Sequence, residues 1–174
     1  MIAIVDYGVG NLFSLVSSLK ALGLAAEVTG DAGRLRAADR IILPGVGAFG
    51  DARRKLDDTG LVPVLLEEAE RKPLLGICLG MQLLFDKSFE YGEHPGLGLV
   101  PGQVVDLRRD LTDKTLKVPH MGWNSLRAAT PCRLLAGVEP TAEFYFVHGY
   151  YVEPDPALVI ATTVYGREFC SLYG

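Results

Sequence analysis

The stretch from Pro73 to Phe85, Pro-Leu-Leu-Gly-Ile-Cys-Leu-Gly-Met-Gln-Leu-Leu-Phe, constrains this chain more than any other. A short apolar run, Leu74 to Ile77, delivers Cys78, and an apolar, helix-compatible run begins directly after it. Gly76 and Gly80 flank the cysteine at two residues on either side. That is the Gly-x-nucleophile-x-Gly spacing of a sharp strand-to-helix turn that presents its central side chain. A side chain at either flank would collide with neighbouring backbone, and glycine has no Cβ to do so. The helix N-terminus that follows favours thiolate through its dipole and unpaired N–H groups. A lone cysteine is more often a buried structural residue. The paired glycines and the strand-to-helix position select the nucleophile reading instead.

The residues before the elbow alternate between buried strands and helices. Met1 to Val5 is a β-branched apolar run, followed by the glycine loop Asp6-Tyr7-Gly8-Val9-Gly10-Asn11. Asn11 is a good N-cap, Leu12, Leu15, Val16, Leu19 and Leu22 share one helical face, and Gly23 stops the helix. Ala25 to Thr29 and Ile41 to Leu43 are further strands, with a short helix expected over Arg34 to Ala38. Asp51 can cap the next helix, and Pro63 suits the first turn of the one after it. Strands alternating with helices predict a mostly parallel central sheet covered on both faces. Its functional loops lie at the carboxyl ends of the strands, where the glycine loops at 8–10, 45–50 and 76–80 fall.

After Phe85 the texture changes to extended segments at 97–107, 116–126, 143–152 and 158–164, punctuated by Gly122, Pro131, Gly137, Pro140 and Pro154. This predicts an antiparallel second half, either completing a mixed sheet or packed on it as hairpins. A length of 174 residues suits one domain, residues 1–174, with a sizeable core. A net charge of -4 gives no basic footprint, which argues against nucleic acid as a partner. No apolar run reaches membrane-spanning length. The three cysteines form no Cys-x-x-Cys pair, and no signal-peptide pattern precedes the first strand. Free thiols and a cytoplasmic setting are the expectation, with no metal and no cofactor.

Beside Cys78, the turn Pro44-Gly45-Val46-Gly47 gains a role. Its glycines let backbone amides approach a developing oxyanion, and one of them with the Leu79 amide makes a two-donor hole. Gln82 lies one helical turn beyond Cys78 on the same face, where its amide can recognise another amide or a carboxylate rather than remain a surface glutamine. The three histidines carry no motif that marks a base. His94 sits in a polar loop and is expected to be solvated. His120 and the only tryptophan lie in Pro119-His120-Met121-Gly122-Trp123-Asn124, an exposed-looking glycine turn that suits a contact surface. His148 alternates with aromatics and reads as a core histidine, with a local base for Cys78 as the competing reading.

The runs at 6–12, 44–49, 76–84 and 119–124, with Tyr145 to His148, together resemble the glutaminase subunits of imidazole glycerol phosphate synthase, which are class I, triad-type glutamine amidotransferases of histidine biosynthesis. The resemblance spans residue 1 to about residue 169. It implies a flavodoxin-like α/β fold and hydrolysis of glutamine to glutamate and ammonia. Cys78 would form a glutamyl thioester, Gly45, Val46 and Leu79 would line the oxyanion hole, and Gln82 would hold substrate. Asn11, His120, Met121, Trp123 and Asn124 would face a (β/α)8-barrel cyclase that forms a heterodimer with the chain and receives the ammonia. A flip of the Gly45–Val46 peptide on docking would then prevent idle hydrolysis.

At Cys170-Ser171-Leu172-Tyr173-Gly174 the sequence departs from that family pattern. In the family, the segment continues into a further strand ending in Phe-His-Pro-Glu-Lys, followed by a final helix, and the His and Glu complete the triad. No position here matches either residue. The resemblance therefore implies a C-terminally incomplete domain lacking the final strand and helix, with apolar sheet and a strand edge uncovered and Cys78 short of its base. A catalytically inactive form that keeps only the docking surface is the alternative this departure raises.

Overall fold

In the computed structural model, which describes residues 1–174, the first half follows the expected alternation. Its elements are β1 (Ile2–Val5), α1 (Leu12–Ala21), β2 (Ala26–Thr29), α2 (Ala32–Ala37), β3 (Arg40–Leu43), α3 (Phe49–Asp58), α4 (Val62–Ala69), β4 (Leu74–Gly76) and α5 (Leu79–Gln82). The four strands form a parallel sheet in the order β2-β1-β3-β4. Strand β1 is apolar throughout because it is buried on both faces. Ile2 and Ile4 pack with Leu19 of α1 and with Ile42 on one side. Ala3 and Val5 point the other way, toward Leu35 of α2, Phe49 and Leu56 of α3, and Leu65 of α4.

The helix caps explain where these elements begin. Asn11 Oδ1 accepts the Ser14 amide at 3.2 Å, as its position before α1 implies. Asp51, expected as a cap, lies inside the first turn of α3 and pairs with Arg54 instead. The residue at the cap is Ala48, which has no side chain to offer. The Phe49 amide is taken by Glu90 Oε2 at 2.6 Å, so a distant carboxylate does the capping.

The second half comprises β5 (Phe85–Ser88), β6 (His94–Pro95), β7 (Val100–Asp106), β8 (His120–Ser125), β9 (Arg127–Ala128), β10 (Glu143–His148), β11 (Tyr150–Pro154), β12 (Val159–Val164) and β13 (Glu168–Tyr173). These strands do not extend the parallel sheet. Seven of them form a separate sheet in the order β6-β5-β7-β11-β13-β12-β9, antiparallel except for β5 beside β7. The remaining pair, β8 and β10, makes a two-stranded antiparallel ribbon. The hairpin alternative is thus the better description, and the reason is packing: one apolar cluster joins Val5, Leu43 and Leu79 to Phe85, Val104, Val152 and Cys170.

The off-pattern residues are built into this core. Cys170 pairs with Val152 and Thr162 within β13. Tyr173 sets its ring edge-on to Phe85 at 4.8 Å, and its hydroxyl donates to the Met81 carbonyl at 3.0 Å. Strand β4 has no neighbour on its outer side, and Leu75 at its centre is exposed. No helix is long and apolar enough to cross a membrane.

Phe85 stands where the two sheets meet and is fully buried. Truncation by Phe85→Ala is expected to lower unfolding free energy by about 3–5 kcal/mol in denaturant titration. A loss below about 1 kcal/mol would contradict a core shared by both sheets.

Candidate active site

The elbow is held by three glycine contacts. Cys78 has φ 55° and ψ -116°, a backbone conformation that costs a non-glycine residue of order 1–3 kcal/mol and is kept only where the surroundings enforce it. A Cβ on Gly76 would lie 2.5 Å from Met81 Cα, and one on Gly80 would lie 1.9 Å from the Leu43 carbonyl oxygen. A Cβ on Gly45 would lie 2.4 Å from the Gly80 nitrogen. The exit of β3 is thereby pressed against the first turn of α5, closer than any side chain permits. The Ile77 amide donates to the Leu43 carbonyl at 3.0 Å and carries the strand pairing right up to the cysteine.

The same contact brings the oxyanion loop to the thiol. Val46 and Gly47 line a cavity of about 340 Å³ together with Cys78, Leu79 and Gln82. The amides of Gly45, Val46 and Gly47 hydrogen-bond to nothing within the chain, which leaves them free for a ligand. Gln82 is not a surface residue: it is buried, and its amide nitrogen donates to the Cys78 carbonyl at 3.1 Å through the backbone. Glu90 also lines the cavity, and burial raises its carboxyl above the usual range. Sequence reading missed Glu90, because the loop around it carries no motif and only the fold brings it from β5 to the nucleophile.

His148 does not serve Cys78. It lines the cavity, but both ring nitrogens are engaged elsewhere. Tyr150 O can only accept, so His148 Nδ1–H donates to it at 2.9 Å. The neutral His148 Nε2 then accepts from His120 Nδ1–H, also at 2.9 Å. His120 Nε2 accepts in turn from the Asn124 amide at 3.5 Å, while Asn124 also donates to the Val164 carbonyl at 2.9 Å. Every donor finds an acceptor only with both rings neutral. Burial keeps them so: it pushes His120, helped by His148, down to about 4, and His148 below the usual histidine range. No imidazole or carboxylate hydrogen-bonds the Cys78 sulfur.

The residues expected at a partner surface divide between two faces. Residues 119–124 are not a glycine turn but enter β8, so side chains alternate. Met121 and Trp123 are exposed, opposite Val147 and Tyr145 of β10, and the Trp123 and Tyr145 rings meet edge-on at 5.5 Å. His120 faces inward, 1% exposed and stacked between Phe146 and Tyr165, so its side chain is unavailable to a partner. Asn124 shares that inner face and is half-buried. Asn11 is exposed, with its oxygen committed to capping α1. His94, expected in solvent, is only half-exposed and packs against Gly50 and the Phe49 ring. No group of His, Cys, Asp and Glu side chains is clustered as a metal site would need.

The helix after Cys78 is shorter than the apolar run implied. Residues 79–82 make one turn, too short for a strong dipole. The residue is open to solvent at the cavity floor, yet protein surrounds the thiol on its inner side. That burial pushes the thiol above its usual pKa, and the Leu79 amide, bonding toward the sulfur, offsets it only in part.

The chain is similar to known proteins along nearly its whole length. The family "Glutamine amidotransferase class-I" matches residues 3–173. The imidazole glycerol phosphate synthase subunit HisH of Desulfovibrio desulfuricans is 51% identical over 178 residues, covering 100% of this chain and 82% of the relative. The HisH subunit of Moorella thermoacetica is 51% identical over 170 residues, covering 97% and 79%. Among solved structures, PurLQS of Thermotoga maritima aligns with a TM-score of 0.66 at 20% identity, over 94% of this chain and 74% of that one, a likeness of fold.

The thiol's surroundings set a pH dependence of their own. Only thiolate reacts, and here its pKa lies above the usual value with no base bonded to it. Alkylation of Cys78 by iodoacetamide should therefore climb about tenfold per pH unit from 7 to 9 without levelling off. A plateau below pH 8, followed by peptide mapping, would reveal a base that this geometry lacks.

Proposed function

The chain belongs to the class I glutamine amidotransferase family, alongside the HisH subunits of imidazole glycerol phosphate synthase, and from that membership we propose a specific reaction and partner. Cys78 attacks the carbonyl carbon of the glutamine side-chain amide. A sulfur–carbon bond forms, and the carbonyl oxygen becomes an oxyanion facing the amides of Leu79 and the Gly45–Val46 loop. The proton that the thiol gives up passes through cavity water to the leaving nitrogen. Collapse breaks the carbon–nitrogen bond and releases ammonia, and the glutamyl thioester left behind is hydrolysed by water to glutamate and the free thiol. Gln82 and the Glu90 carboxylate hold the amino-acid end of the substrate. Glu90 is suited to the α-ammonium group because it is an acidic side chain lining the cavity.

The observation that carries this reading is the strained elbow itself. It aims a thiol into a cavity bordered by unbonded amides and a carboxylate. The ammonia goes to a (β/α)8-barrel cyclase subunit, which uses it to make imidazole glycerol phosphate and the aminoimidazole carboxamide ribotide released beside it in histidine biosynthesis. Met121, Trp123, Tyr145 and Val147 give the ribbon an exposed apolar face beside the cavity, and such a face suits a protein partner. A flip of the Gly45–Val46 peptide on docking would complete the oxyanion hole and tie hydrolysis to the presence of the acceptor. An inactive docking module is the less favoured reading, because it leaves the assembled elbow and cavity without a purpose.

The test is ammonia release from glutamine, with and without the cyclase subunit of a relative. Turnover is expected only in the complex and is lost in Cys78→Ala. Trp123→Ala should raise the cyclase concentration needed by about tenfold or more. A complex that forms normally but releases no ammonia would favour the docking module.

A further inference from the structure

Tyr7 plays no part in the steps above, yet it touches the loop that performs them. It leaves the carboxyl end of β1, is 4% exposed, and donates its hydroxyl to the Pro44 carbonyl oxygen at 2.7 Å. A peptide unit is planar, so holding the Pro44 carbonyl also fixes the direction of the Gly45 N–H on its far side. Gly45 cannot slide, since its Cα is packed against Leu79 and Gly80. The next peptide, Gly45–Val46, has neither restraint: both its flanking amides are unbonded, and Val46 is exposed. Burial holds the Tyr7 phenol protonated, and the Cys78 thiol close by reinforces this, so the donor is present across the working pH range.

We propose that Tyr7 is a positioning residue for the oxyanion hole: its bond to Pro44 anchors one end of the loop, so that Gly45–Val46 alone turns its N–H toward the developing charge. This inference rests on the glutamine site described above. The Tyr7 hydroxyl bonds the Pro44 carbonyl rather than the sulfur, and the residue acts through the backbone it restrains. Without it, the loop samples orientations in which its amide misses the oxyanion, while the thiol and the substrate contacts stay in place.

The experiment compares two reagents on the full chain docked to the cyclase subunit of a relative, the state in which the hole is complete. The chloroketone analogue of glutamine passes through an oxyanion before Cys78 displaces chloride, forming a sulfur–carbon bond. Iodoacetamide alkylates the thiolate by direct displacement of iodide and needs no oxyanion. In Tyr7→Phe, the maximal chloroketone inactivation rate should fall about tenfold or more. Its half-saturating concentration and the iodoacetamide rate should stay within about twofold. Val5→Ala, which disturbs the core of β1 and keeps the tyrosine bond, should leave the ratio of the two rates unchanged even as the melting temperature drops. Equal loss in both reagents, or no loss with chloroketone, would overturn the positioning role. If the unsubstituted chain shows no saturable chloroketone reaction and glutamine gives no protection, the glutamine site itself fails, and this inference with it.

Discussion

The contact on which the structure depends is the one between the end of β3 and the first turn of α5. Two absent side chains allow it, at Gly45 and Gly80, and a third at Gly76 lets the end of β4 approach the same turn. Because the two backbones touch, Cys78 is forced to positive φ, the Ile77 amide reaches the Leu43 carbonyl, and the free amides of Val46 and Gly47 come to border the thiol's cavity. Strain of order 1–3 kcal/mol at the cysteine persists because the paired strands and the cluster around Leu43, Leu79 and Leu83 outweigh it. The nucleophile is placed by the packing of the parallel sheet, and its own helix contributes little.

The second sheet completes the cavity from the other side. Its strands share a core with the first, and they carry Glu90, His148 and Tyr150 to the cavity wall. The β8–β10 ribbon has two unlike faces as a direct result of strand alternation. The outer face shows Trp123 and Tyr145, and the inner face holds Asn124, His120 and His148 in a chain of hydrogen bonds that ends at the cavity. The outer surface and one wall of the cavity are thus two faces of one short ribbon.

Much of the parallel half was legible in the sequence, because a strand buried on both faces is a continuous apolar run and a cap such as Asn11 is a local device. The elbow was legible for the same reason: its glycines lie within two residues of Cys78. The misreadings share a cause, which is dependence on distant residues. The Phe49 amide at the start of α3 is capped by Glu90 from far along the chain, so Asp51 looked like the cap. The motif around His120 looked exposed as a unit, whereas alternation in β8 buries the histidine and exposes its neighbours. The resemblance to a known family implied the residues around the thiol and the missing base, but the helix was expected to favour thiolate, and burial against a one-turn helix is a balance that only the fold decides.

The central claim is that Cys78 acts on the side-chain amide of glutamine. Rapid acid quench of the chain with glutamine and the cyclase subunit, followed by mass analysis of the Cys78 peptide, tests it most directly. The account predicts a glutamyl group on that peptide, absent when asparagine replaces glutamine and absent from Cys78→Ala. A complex that turns glutamine over while Cys78 is never acylated would contradict it.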